Sequence, residues 1–178
     1  MRDDIERVLI DEEVIEKRLD TMAAEIERDF PKGPLVVIIL LKGALVFAAD
    51  LLRRVPRVLE IECLNVASYH GGVESSGQVD FLDRHFPEVR GHHVLLLDDI
   101  LDTGRTLHAV KARLLEEGAE AVHTAVLLAK DKQRAEEVSA DYVGFEIGDE
   151  FVVGYGLDYQ GKYRNLPYVG VLKLSVTL

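Results

Sequence analysis

The chain has 178 residues, of which 48% are apolar and 30% charged, with a formal net charge of −11 and a pI near 5.0. That size and balance fit one globular domain, 1–178, around a single core. They exclude a duplex-binding surface, because neutralising nucleic-acid phosphates needs clustered Lys and Arg.

The N-terminal "MRDDIERVLI" lacks the apolar centre of a signal peptide, and the longest apolar run, "PLVVIILL", is too short to span a bilayer. With Cys63 as its single cysteine, the chain forms no intrachain disulfide and is expected in a reducing, cytoplasmic setting. Neither membrane nor nucleic acid is expected as a partner.

A helix is predicted over 11–29, with Asp11 as its cap and Val14, Ile15, Leu19, Met22 and Ile26 on one stripe. "LVVIIL" (35–40) is apolar at every position, as a strand buried on both faces must be. It stops at Lys42-Gly43, and "ALVFAADLLRR" follows as a helix. In 58–66, Leu59, Ile61 and Cys63 alternate with Glu60 and Glu62, which predicts a strand with one solvated face. The polar, Gly- and Ser-rich stretch 68–77 reads as a long flexible loop, of a length that is functional or mobile in compact domains.

"HVLLL" (93–97) is the next buried strand, with His92 and His93 expected to face solvent at its edge. A helix carrying Leu107, Val110 and Leu114 ends near Gly118. "AVHTAVLLA" (121–129) is another buried strand, and "YVGFEI", "FVVGY" and "YVGVLKL" close the chain as strand-like pieces. Strand–helix alternation predicts an α/β fold, a parallel sheet with helices on both faces. In such sheets ligands sit at the carboxyl ends of the strands. Lys42-Gly43, Asp98–Thr106 and Lys130-Asp131 all fall there.

The stretch "VLLLDDILDTGRTL" gathers three aspartates, two threonines and a glycine where a strand becomes a helix. Gly104 allows a positive φ or a close backbone approach. Thr103 and Thr106 supply hydroxyls, and the helix start presents unpaired N–H groups with a favourable dipole, a cradle for a phosphate monoester. The aspartates need another partner. Asp98 and Asp99 suit sugar hydroxyls or a hydrated Mg²⁺, and Asp102, nearer the phosphate end, suits general acid–base work. A P-loop, a G-x-G-x-x-G turn and zinc-spaced Cys/His sets are not found.

That acidic stretch closely resembles the phosphoribosyl pyrophosphate signature of the type I phosphoribosyltransferases. Within them, "LLKGALVFAADL", "SYHGG", "LLAK" and "FEIGDEFVVGYGLDYQGKYRNLPYVGVL", taken in order, resemble the hypoxanthine-guanine branch over nearly the whole chain. The resemblance implies the type I core with a small hood built from terminal segments. It implies Mg²⁺-assisted transfer of ribose 5-phosphate from phosphoribosyl pyrophosphate to a 6-oxopurine base in purine salvage, by a homodimer or homotetramer.

Carried onto this chain, the resemblance assigns Asp98 and Asp99 to the ribose hydroxyls and metal, and Asp102 to purine N7 as acid or base. Thr103, Gly104, Arg105 and Thr106 would wrap the 5-phosphate. Lys42 and Gly43 would meet pyrophosphate, at a point where the family often has a cis peptide, and Arg164 would join them. Ser68 and Tyr69 match a mobile loop that closes over the reaction. Lys130 would donate to purine O6, Phe151 would stack on the ring, Val152 would offer backbone contacts to its edge, and Asp158 would hold a second Mg²⁺. Asp98 stands where the family commonly has Glu, one methylene longer, so its contact with ribose is expected to run through water or metal. Rival readings are an RNA-binding relative of the uracil phosphoribosyltransferases, against which Asp102 and the acidic charge argue, and a sensor that only binds the activated sugar.

Overall fold

A computed structural model describes residues 1–68, 79–83, 85–132 and 138–177. After a 3₁₀ turn at Arg2–Asp4 the elements run β1 (Ile5–Ile10), α1 (Glu12–Asp29), β2 (Leu35–Leu41), α2 (Leu45–Leu52), β3 (Leu59–Ser68), β4 (Val79–Phe81) and β5 (His93–Leu101). They continue as α3 (Arg105–Glu116), β6 (Ala121–Lys130), β7 (Tyr142–Ile147), β8 (Val152–Val153), β9 (Val169–Leu172) and α4 (Leu174–Thr177). Among the described residues no helix is long and apolar enough to cross a membrane.

Six strands form the main sheet in the order β4-β3-β2-β5-β6-β7. All its pairings are parallel except that of the short β4 with β3. The continuous apolar runs follow from burial on both faces. Val37 and Ile39 of β2 point into one core with Leu19 and Met22 of α1 and Phe47 of α2, while Val36, Ile38 and Leu40 point into a second core with Leu107, Val110 and Leu114 of α3. Helices therefore cover both faces, as the alternation predicted. A separate antiparallel sheet, β1-β9-β8, joins the N-terminal strand to the C-terminal segments and forms the hood. Tyr155 fastens it to the body by donating from its hydroxyl to Asp50 of α2, at 2.5 Å.

Four local expectations change. Asp11 occupies the cap position of α1 without a side-chain cap bond; its carbonyl instead accepts from the Val14 and Ile15 amides. Val14 is 47% exposed, off the buried stripe. On β3, Ile61 and Cys63 are exposed although they alternate with glutamates, whereas Leu64 is buried on the opposite face. The helix α2 packs over β2 and β5 and leaves that flank of β3 unroofed. His93 is half-buried, 3.6 Å from Glu120, rather than solvent-facing.

Candidate active site

The strand order reverses between β2 and β5: the chain steps from β2 outward to β3, then returns to the other side of β2 as β5. The carboxyl ends of β2 and β5 thus open a crevice at the switch point. Lys42 and Gly43 leave β2 there through a cis Leu41–Lys42 peptide, as the resemblance implied. A side chain at Gly43 would overlap the Asp99 carboxylate, so glycine is what lets the β2 turn and the acidic pair share the crevice. From the hood, Gly156 comes against the Gly43 carbonyl so closely that a Cβ would collide with it.

Asp98 and Asp99 lie within β5, which runs on to Leu101; the loop proper is shorter than the sequence suggested. Their carboxylates turn back on the chain: Asp98 Oδ1 accepts from the Asp99 amide at 3.0 Å, and Asp99 Oδ1 from the Ile100 amide at 2.9 Å. Burial, then the neighbouring Asp99 charge, pushes the Asp98 carboxyl well above the usual carboxylate range. Burial also raises Asp99, against the opposing influence of its hydrogen bonds and of the Arg164 charge. This pair therefore keeps a proton in the folded state that the unfolded chain has already lost, so metal-free stability falls as pH rises from about 4 through the raised values. Replacing Asp98 by Asn removes the repulsion while keeping the acceptor for the Asp99 amide. In EDTA at pH 7.5 the Asp98→Asn protein is expected to melt about 2–5 °C higher, with less gain at pH 4.5. Equal melting at pH 7.5 would mean the two charges do not strain the fold.

Beyond β5, Gly104 adopts φ +83° and caps α3, so the Arg105 and Thr106 amides start that helix free of intrahelical partners. Thr103 Oγ1 accepts from the Arg105 amide at 3.5 Å. Thr103–Thr106 and the N-terminus of this 12-residue helix thus group hydroxyl and amide donors of the kind an anion needs.

On the other side, Lys130 ends β6, beside β5. Its ammonium is 3.2 Å from Asp149 Oδ1 and 3.9 Å from Asp102 Oδ2. Two residues on, the Lys132 ammonium lies against Asp102 Oδ1 and is 3.1 Å from the same Asp149 oxygen. Phe151 follows with 51% of its surface exposed, edge-on to Tyr159 at 5.7 Å between ring centres, so a face remains for a planar ligand. Val152 is buried, paired with Val171 of β9.

Asp158 and Arg164 are joined to each other. Asp158 Oδ1 meets Arg164 Nη2 at 2.6 Å, Asp158 Oδ2 accepts from the Gly161 amide at 2.6 Å, and Arg164 Nη1 donates to the Gly156 carbonyl at 2.7 Å. Arg164 thereby reaches the β2 turn through Gly156. Asp158 has one partner on each oxygen, which leaves each a further lone pair. Of the mobile-loop pair, Tyr69 lies outside the described residues, and Ser68 is described only as the last residue of β3. Lys132, Asp149 and Gly156 were not singled out from the sequence. Lys132 had a signal only in its nearness to Lys130, two residues past the end of β6. Asp149 and Gly156 had none.

A family model described as "Phosphoribosyl transferase domain" matches residues 9–160. The chain belongs to this phosphoribosyl transferase family. It is 43% identical to a protein named hypoxanthine-guanine phosphoribosyltransferase from Staphylococcus epidermidis over 176 residues, 99% of this chain and 98% of that protein. It is 40% identical to one of the same name from Staphylococcus aureus, with the same coverage. A crystal structure of a hypoxanthine phosphoribosyltransferase from Staphylococcus aureus superposes with a TM-score of 0.94 at 40% identity, covering 100% of this chain and 97% of that one. A hypoxanthine-guanine phosphoribosyltransferase from Bacillus anthracis gives a TM-score of 0.89 at 39% identity, covering 95% and 99%. The α/β core expected from the resemblance is thus the family's own.

Proposed function

We propose that this chain transfers the 5-phosphoribosyl group of phosphoribosyl pyrophosphate to hypoxanthine and guanine, releasing pyrophosphate, in purine salvage. The observation that carries this reading is the pairing of Lys130 Nζ with Asp102 Oδ2 at 3.9 Å, across the ends of adjacent strands. An ammonium donor beside a carboxylate acceptor matches a 6-oxopurine edge, which presents O6 as acceptor next to N7–H as donor. Adenine offers an amino group at that position and would face the lysine donor to donor.

With the base on Phe151 and the sugar phosphate in the Thr103–Thr106 cradle, purine N9 attacks the anomeric carbon as its bond to pyrophosphate breaks. The N7 proton passes to Asp102. The sugar passes through an oxocarbenium-like state, so the anionic leaving group must be neutralised while carboxylates remain near the sugar. Lys42 and Arg164 would serve the leaving group; Asp98 and Asp99 would serve the ribose hydroxyls. Closure of the segment containing Ser68 and Tyr69 would keep water from the activated sugar.

Mg²⁺ belongs to the same proposal. Among the described residues no group of three or more His, Cys, Asp or Glu could hold a metal. Mg²⁺ does not need one, since it binds through one or two carboxylates with substrate phosphates and waters. The adjacent Asp98 and Asp99 carboxyls, set against the β2 turn, fit that role. When bound, the ion would supply charge neutralisation on the pyrophosphate oxygens. Assembly as a homodimer or homotetramer belongs to the same proposal and rests on the family resemblance. A cytoplasmic site of action is supported by the exposed thiol of Cys63.

Purified protein with Mg²⁺ and phosphoribosyl pyrophosphate should form nucleotide from hypoxanthine, guanine or both, and none from adenine or uracil. Uracil turnover, or tight binding of the activated sugar without turnover of any base, would overturn the proposal.

A further inference from the structure

The acid–base carboxylate has a neighbour that the proposed chemistry does not use. Asp102 Oδ1 is closed off from solvent, and the Lys132 ammonium lies against it. Oδ2, by contrast, faces Lys130 at 3.9 Å, longer than a hydrogen bond. Behind both lysines stands Asp149, whose Oδ1 receives Lys130 at 3.2 Å and Lys132 at 3.1 Å. Hydrogen bonds from Lys132 and then Lys130 hold the Asp149 carboxyl below its usual range. Two carboxylates and two ammoniums thus alternate around the purine end of the crevice.

We infer that Lys132 is a positioning residue for proton transfer: it claims Oδ1 of Asp102 and so leaves Oδ2 as the oxygen that meets purine N7, while Asp149 holds Lys132 in place. The inference rests on the reading of Asp102 as the group that takes the N7 proton. A carboxylate swings easily about its last torsion and offers two equivalent oxygens. Proton transfer, however, needs one of them within hydrogen-bond reach of the ring nitrogen and in its plane. Lys132 breaks that equivalence. It also takes part of the Asp102 charge that would otherwise draw Lys130 inward, which keeps the O6 donor and the N7 acceptor as separate groups on the base edge. Since Lys132 acts through Asp102 and touches no reacting atom, its loss should slow the chemical step without weakening capture of the activated sugar.

The test compares Lys132→Met, Lys132→Arg, Asp149→Asn and Asp102→Asn in the full chain, with kcat, both KM values and the melting temperature read for each. Lys132→Met is expected to lower kcat roughly tenfold or more. Its KM for phosphoribosyl pyrophosphate should stay within about twofold and its melting point should hold, because exposed ion pairs add little stability. Lys132→Arg should restore most of kcat, and Asp149→Asn should show a weaker loss of the same kind. Unchanged kcat in Lys132→Met, beside a slow Asp102→Asn, overturns the role of Lys132 and leaves the acid–base reading intact. A fall in kcat accompanied by a lower melting point and a raised KM for the activated sugar also overturns it, as that is the mark of a structural lysine. Full activity in Asp102→Asn overturns the acid–base reading itself, and this inference with it.

Discussion

Replacing Asp102 by Asn is expected to lower kcat for hypoxanthine by two to four orders of magnitude, the usual worth of a positioned acid or base. Asn keeps the shape and one acceptor oxygen, so the base still finds a partner at N7, but the amide cannot accept the proton that must leave. The loss should therefore fall on kcat far more than on the KM for either substrate. Stability should change little. Asp102 is 36% exposed as a whole, although its Oδ1 is closed off, and ion pairs this near the surface are worth little to folding. After the substitution both lysines retain Asp149. Steady-state kinetics with a melting curve separates these outcomes. A kcat within about threefold of the parent would mean that the proton leaves by solvent, and that the carboxylate beside Lys130 only balances charge.

The parts of this site that could be read in the sequence share one property: their chemistry is local. Asp98 to Thr106 sit within nine consecutive residues, so a strand-to-helix junction with hydroxyls and a glycine announces an anion cradle before any tertiary contact is known. The apolar runs of β2, β5 and β6 were legible for a similar reason, since burial on both faces leaves no alternation to misread. Where the sequence misled, the cause was a long-range neighbour. Ile61 and Cys63 carry an inward-facing pattern, yet whether that face is covered depends on where α2 packs. Asp158 and Arg164 look like independent ligands at six residues' separation, but a tight turn through Gly161 brings them together at 2.6 Å. Lys132 and Asp149 meet only because β6 and β7 are adjacent and both end at the crevice.

Gly156 makes the same point with larger consequences. Gly156→Ala is expected to destabilise the protein by about 2–4 kcal/mol, or about 5–15 °C in melting temperature for a chain of this size, and to lower kcat/KM for phosphoribosyl pyrophosphate more than a hundredfold. Two constraints act on this one position. Its φ of +104° lies where an L side chain is strained, and a Cβ would collide with the Gly43 carbonyl, with Val46 just behind. A clash with backbone cannot be relieved by a rotamer change, so either the hood segment must lift or the β2 turn must drop. Lifting the hood pulls on Arg164, which donates to the Gly156 carbonyl, and on Tyr155, whose hydroxyl is bonded to Asp50 at 2.5 Å. Dropping the turn disturbs the close fit of Gly43 against the Asp99 carboxylate. Each route disturbs the placing of Arg164 or Lys42 beside the acidic pair, the arrangement on which the proposed handling of the leaving group depends. Gly118→Ala is the matching control for backbone strain. It too has a positive φ, +95°, but the nearest atoms that a Cβ there would meet belong to the flexible Arg90 side chain, at the far end of α3. It should cost stability and leave kcat/KM near the parent value. Equal losses of activity in the two variants would mean that Gly156 matters for folding alone, and that the contact between hood and β2 turn does not organise the pyrophosphate end of the site.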